Sequence, residues 1–273
     1  MKYSVILIFC ISMLAQKVLC QSRPELKLIG EVKGEFVYIR PDILGNLFAF
    51  TASGQLKKYN PALDSTGVFN EVKRYGALHQ ISSENPLRTL LYFKAFRTIL
   101  VLDRFMQVVN KIDLRTAAVF QVNSVAQSYD NKVWLFDEQD AKLKKLNELG
   151  KLEVETGDIR LLAGINPSPE VIFEMDRYVC LYDGQHGLVL FDQLGGYRNT
   201  IPLTGWNNVH GIGDYVLGMK GKKLMAYNFK NRQSSELLDL SSAESQHDEQ
   251  VLVCGQRLYI LGRDSIKIYN LPS

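Results

Sequence analysis

The sequence predicts an all-β fold, a six-bladed β-propeller with its last blade closed by the N-terminal strand, and three observations carry that prediction. The first is a repeat. An apolar run, a polar break of about half a dozen residues and a second alternating run that ends on a large apolar residue with Asn or Asp together read as a β-hairpin. The pattern is clearest in Val133, Trp134, Leu135, Phe136 and Asp137 followed by residues 143–147. With five more copies, the closing polar residues Asn60, Asp103, Asn147, Asp192, Asn228 and Asn270 fall at a spacing of roughly 36 to 45 residues. The second observation is an asymmetry between the ends. Residues 26–33 alternate like a strand but have no hairpin partner beside them, while the sixth unit, ending at residues 266–270, lacks the outer strand that the other five possess. One strand fits one gap, and closing the ring removes the edges that an open sheet exposes. The third is a short segment ahead of each hairpin, at residues 36–40, 77–82, 124–128, 170–174, 209–213 and 250–255. These supply innermost strands and bring each unit to four.

Taking the chain in order, Lys2 precedes an apolar stretch, residues 4–15, too short to span a bilayer comfortably, which is the form of a secretory signal peptide over residues 1–20. Cleavage after Cys20 leaves residues 21–273 as one propeller, without a transmembrane segment, in a periplasm or outside the cell. Whether Cys20 is instead a lipidated first residue stays open, although Leu19 is large for the position before such a cysteine. Loss of Lys2 and Lys17 lowers the formal charge from +3 to +1, far from the clustered basic footprint of a nucleic-acid binder. Cys180 and Cys254 sit in apolar runs of units that are not neighbours, so they read as buried thiols rather than a disulfide. No segment holds a 3.6-residue period with sensible caps. The Lys- and Glu-rich stretch 137–155 is assigned to strands by the repeat register, and the polar residues 241–249 read as a loop.

The unit with Gly45 and Asn46 at a turn, Leu47, Phe48, Ala49 and Phe50 on a strand, and Tyr59 with Asn60 at its close resembles the blades of NHL-type and TolB-like six-bladed propellers. The resemblance implies the fold and a habit of binding protein or ligand on one ring face, and it transfers no functional residue. In such a ring the starts of the innermost strands share a face with the turns between second and third strands. That face supplies the binding candidates Phe96, Arg97, His186, Trp206, Lys222 and Arg263, whereas Trp134 reads as core between blades. No nucleophile elbow, zinc-protease helix or phosphate-cradling glycine loop occurs, the histidines His79, His186, His210 and His247 keep no metal spacing, and no cofactor is expected. The expected function is therefore an exported, non-catalytic module that docks a protein partner on one propeller face. By analogy with periplasmic propellers, the partner is a membrane-embedded bacterial envelope complex for outer-membrane biogenesis or protein secretion. The alternative, implied by the likeness to six-bladed lactonases, is a metal-dependent hydrolase holding a divalent cation at the central channel with Asn123, Glu170 and Asn208.

Overall fold

The computed structural model describes residues 26–241 and 250–271, so the leader expected at residues 1–20 and the loop expected at 241–249, apart from Ser241, lie outside the described residues. The described residues form six four-stranded antiparallel sheets arranged as the blades of a ring. In chain order the innermost strands of blades 1 to 6 are Phe36–Pro41, Gln80–Asn85, Val122–Gln127, Val171–Met175, Asn207–Ile212 and Gln250–Cys254. Each contacts the next and the sixth contacts the first. Closure is as the chain ends predict: Lys27–Lys33 is the outermost strand of blade 6, with Lys27 opposite Asn270 and Lys33 opposite Ser265.

The burial pattern explains why the hairpins were legible. Second strands such as Leu47–Thr51 and Val133–Asp137 are buried along their whole length, since both sheet faces meet neighbouring blades, and a strand buried on both faces is written as a continuous apolar run. Outermost strands such as Leu152–Glu155 are mostly exposed and carry a weaker signal. The apolar core is accordingly a ring of six clusters, one in each seam between blades. Trp134, fully buried, lies in the seam of blades 3 and 4 with Ile172, Val179 and Leu181, as its strand position predicted. Cys180 is buried and Cys254 half-buried, both free thiols, and the Cys254 Sγ donates to the Asp42 carbonyl at 3.1 Å.

The Lys-rich stretch is strand, Lys142–Leu146, and its two inward lysines are each neutralised. Lys144 Nζ lies 2.7 Å from both Asp137 Oδ2 and Asp140 Oδ2. Lys145 Nζ reaches Asp130 at 2.9 Å and stands 5.1 Å over the Trp134 ring, so its charge is paired and its stem covered. Four short helical turns among the described residues depart from the all-strand expectation, three of them 3-10 turns at Glu71–Tyr75, Lys94–Phe96 and Leu114–Ala117. Ile159–Ala163 is a single α-helical turn, capped by the Asp158 carboxylate accepting from Arg160 N–H and ended by Gly164 at φ +67°. Five residues are too few to display a helical period, which is why the sequence pattern does not reveal it.

The polar residue that closes each repeat has a local task. Asn60, Asp103, Asn147 and Asp192 begin the turns between third and fourth strands, where each side-chain Oδ1 accepts from the backbone N–H two and four residues on, at 2.8 to 3.0 Å. These Asx turns satisfy backbone donors that no ladder reaches.

Candidate functional site

Two ring faces result. The upper face holds the starts of the innermost strands and the turns between second and third strands; the lower face holds the turns between first and second, and between third and fourth. Among the described residues, seven lower-face turns share one construction, two of them with Ala62 and Lys230 at the tip and five with a large apolar residue. Leu44, Leu87, Phe105, Leu149 and Leu194 each donate a backbone N–H to an Asx side chain two residues earlier, on Asp42, Asn85, Asp103, Asn147 and Asp192, at 2.8 to 3.0 Å. Their side chains are 58 to 85% exposed, although large and apolar. The backbone of every tip is thus pinned while its side chain points into water. Blades 1 to 4 contribute all five, with Ile43 and Tyr129 exposed on the same face.

The upper face uses the same device with other side chains. Arg115, Gln139, Arg160 and Gln185 donate to Asp113, Asp137, Asp158 and Asp183 in the same way. Arg115 also returns its guanidinium to Asp113, and that hydrogen bond holds the carboxyl down to about 2. These four upper tips are polar, although Phe96, Phe120 and Leu161 are exposed elsewhere on the same face.

Of the sequence candidates, Phe96, Arg97, His186, Lys222 and Arg263 do lie on upper-face turns, but on blades 2, 4, 5 and 6, and they do not converge. Phe96 and Arg97 form a local group. Phe96, 52% exposed, folds over Gly76, and the Arg97 guanidinium lies over the Phe120 ring at 5.6 Å while its Nε donates to the Phe120 carbonyl. His186 is tied within its own turn, with Nδ1 2.9 Å from Asp183 Oδ2. Trp206 is corrected outright. It is only 5% exposed and packs with Tyr182, Leu188 and Val209 in the seam of blades 4 and 5, where its ring lies over Gly218; the missing side chain there leaves room for an indole. A tryptophan beside Gly205 and Asn207 reads as a surface residue only when the glycine across the sheet is not considered.

The residues of the metal alternative show other commitments. Asn123 Oδ1 accepts from Lys94 Nζ at 2.7 Å, and its amide NH2 donates to the Pro169 carbonyl at 3.3 Å, so a lysine ammonium already occupies the oxygen that would face a cation. Asn208 sits in left-handed backbone at φ +53° with its carbonyl on His210 Nδ1, and Glu170 lies exposed beside Gly184. This donor set does not fit a divalent cation. Among the described residues no group of three or more His, Cys, Asp or Glu is placed to hold a metal ion.

His210 is a buried fastener. Val253 N–H donates to Nε2 at 3.2 Å, which leaves the proton on Nδ1 to donate to the Asn208 carbonyl at 2.9 Å. Burial pushes its pKa down to about 4, and the neutral ring joins the innermost strands of blades 5 and 6.

Comparison with known proteins is informative at the level of the fold. No protein-family model and no curated protein sequence matches the chain. Solved structures do. The WD40 domain of Neurospora crassa Pan2 superposes with a TM-score of 0.66 at 11% identity, over 92% of this chain and 97% of that one. A catalytically inactive virginiamycin B lyase from Staphylococcus aureus with quinupristin gives 0.62 at 12% identity, over 90% and 100%. The β-propeller domain of Cps50 (Swd1) from Myceliophteria thermophila gives 0.61 at 9%, over 90% and 99%. The chain is a β-propeller. At these identities the propeller neighbours establish the fold alone. No helix among the described residues is long and apolar enough to cross a membrane.

The lower-face tips escaped the sequence reading, yet their signal is present. Asp or Asn, one residue, then Leu or Phe recurs at residues 42–44, 85–87, 103–105, 147–149 and 192–194. Three of these begin on the closing residue of the repeat itself.

Proposed function

We propose that this protein is an exported, non-catalytic interaction module that docks a protein partner on the lower face of its propeller. The observation that carries the reading is the set of five Asx-pinned apolar tips, Leu44, Leu87, Phe105, Leu149 and Leu194. Exposed large side chains on a rigid backbone lose little entropy on binding and bury apolar area, the combination found at binding surfaces. Two structures with similar propellers are a WD40 domain, that of Pan2, and part of an assembly, a mitotic checkpoint complex, which supports an interaction role. The leader-like residues 1–20 support export. On that basis the partner is a bacterial envelope complex in the membrane, serving outer-membrane biogenesis or secretion.

The test is recovery of tagged protein from its native membranes in gentle detergent, followed by intact-mass measurement of its N-terminus. The wild type is expected to start at Gln21 and to bring down a stoichiometric partner. A Phe105→Asp/Leu149→Asp double variant, still folded, is expected to lose that partner at least about tenfold, while Gln139→Ala/Arg160→Ala keeps it. Loss confined to the upper-face variant would overturn the assignment of the face, and retention of residues 1–20 would overturn export.

A further inference from the structure

Blades 4 and 5 are separated on the lower face by a cavity of about 340 Å³, a size within the usual range of small-molecule sites. Its apolar wall is aromatic. The Tyr178 and Phe229 rings stack with centroids 6.2 Å apart and planes 17° from parallel, Tyr227 meets Phe229 edge-on at 5.4 Å, and Met175 lies beside them. Arg177 and Arg232 are also in the lining.

The charges there are unequally matched. Lys230 Nζ is 2.6 Å from Asp214 Oδ2, so that pair is self-sufficient. Arg177 has Asp176 at 3.2 Å, with both side chains 77% exposed, and an exposed pair of this kind is readily given up to a better partner. Arg232 has no acidic side-chain partner among the described residues. The cleft therefore offers an aromatic wall and one cation in excess.

Its backbone departs from the repeat in a way that builds this arrangement. The turn after Asn228 is closed by Arg232 N–H on the Asn228 carbonyl at 2.8 Å, and Phe229 N–H is held by the Asp214 carbonyl at 3.0 Å. Phe229 is thereby kept half-buried against blade 4 instead of standing at a tip. Arg232 adopts φ +57°; the matching turns of blades 1 and 2 likewise meet positive φ with Leu63 and Met106, and those of blades 3 and 4 with Gly150 and Gly195. A left-handed arginine carries mild backbone strain that a glycine would relieve.

We propose that this cleft binds a small molecule with a flat apolar body and one anionic group, the body lying on the Tyr178, Tyr227 and Phe229 rings and the anion on Arg232 with Arg177. Charge-assisted hydrogen bonds to planar guanidinium suit a carboxylate, sulfonate or phosphate. The proposal does not rest on partner docking, although the tip Leu194 lines an adjoining cavity with Arg177 and Tyr178.

The probe pair is 1-anilinonaphthalene-8-sulfonate and uncharged N-phenyl-1-naphthylamine, which share one ring system, titrated by fluorescence against the whole protein. One molecule of the sulfonate per chain is expected, bound about tenfold more tightly than the neutral dye. Arg232→Gly removes the cation and relieves the backbone, so it is expected to erase that preference while the melting temperature holds or rises. Phe105→Asp/Leu149→Asp, which disrupts the docking tips, is expected to leave dye binding unchanged. Equal affinity for the two dyes, or a preference that survives Arg232→Gly, or one lost in the tip variant, would each overturn the proposal.

Discussion

The seam between blades 2 and 3 and the seam between blades 4 and 5 solve one problem by opposite means. Between blades 2 and 3 the innermost strands are joined by side chains. Gln80 donates Nε2–H to the Val125 carbonyl at 2.7 Å and accepts Val125 N–H at 3.0 Å, and Ser82 Oγ accepts Gln127 N–H at 3.1 Å. Between blades 4 and 5 no such bond joins the innermost strands among the described residues. There Phe173 and Met175 press on Gly211, where a Cβ would come within 2.6 to 2.8 Å of Met175 Sδ and Phe173 Cδ2. Polar links lie towards the upper face, where Tyr182 hydroxyl both accepts from Trp206 N–H and donates to its carbonyl at 2.7 Å, and Gly205 N–H donates to the Gly184 carbonyl at 2.8 Å. A seam fastened by directional bonds tolerates little change of register, whereas one fastened by contact is open to water where the contact ends. The cavity lies at the second kind, on the face away from Tyr182.

Three experiments sharpen that contrast, beginning with the largest expected effect. Gln80→Leu keeps the bulk of the side chain but leaves the Val125 N–H and carbonyl without partners in a buried seam. At about 1 to 3 kcal/mol for each orphaned group, a loss of ~4 kcal/mol is expected in urea unfolding, and a loss under 1 kcal/mol would show that water replaces the bonds. His210 should make the seam of blades 5 and 6 acid-sensitive. Its folded pKa, about 4, lies below the ordinary value of 6.5, so between those pH values the unfolded chain binds a proton that the folded chain refuses. Stability from this group is intact above pH 6.5 and falls by about 1.4 kcal/mol per unit on acidification towards pH 4, on the order of 3 kcal/mol in all. His210→Gln is expected to flatten the slope of the melting temperature over that window, and an unchanged slope would place the acid sensitivity elsewhere. Gly211→Ala, which overfills the contact seam, should cost ~2 kcal/mol, and Met175→Ala in the same chain should return part of it. Additive losses would mean that the two side chains do not compete for the same space.

Much of the candidate site was written locally, and the places where local reading fails have specific causes. Asp103 before Phe105 and Asn147 before Leu149 state an Asx turn and its exposed tip within three residues, because the hydrogen bond is local and the tip lies outside both strands. The face on which those tips gather is not local, since it depends on which hairpin ends the ring aligns. Trp206 shows the opposite limit. Its burial rests on Gly218, twelve residues further along, and on blade 4 side chains, and no pattern around Trp206 itself reports either. The binding residues expected on the upper face share a face but come from separate blades, because matching positions in successive repeats are carried round the ring rather than brought together.

By itself the sequence determined the number of blades, the strand that closes the ring and the polar residue that ends each hairpin. These follow from apolar periodicity, from counting strands and from a hydrogen bond that spans two to four residues. Only the tertiary structure decided that His210 is buried as a neutral link between blades, that Asn123 is committed to Lys94, and that Phe229 and Arg232 of blade 5 meet Tyr178 of blade 4 across a cavity. Each of these depends on two segments brought together by ring closure, and the energy of such a contact is set by burial and alignment in space, which sequence spacing does not encode.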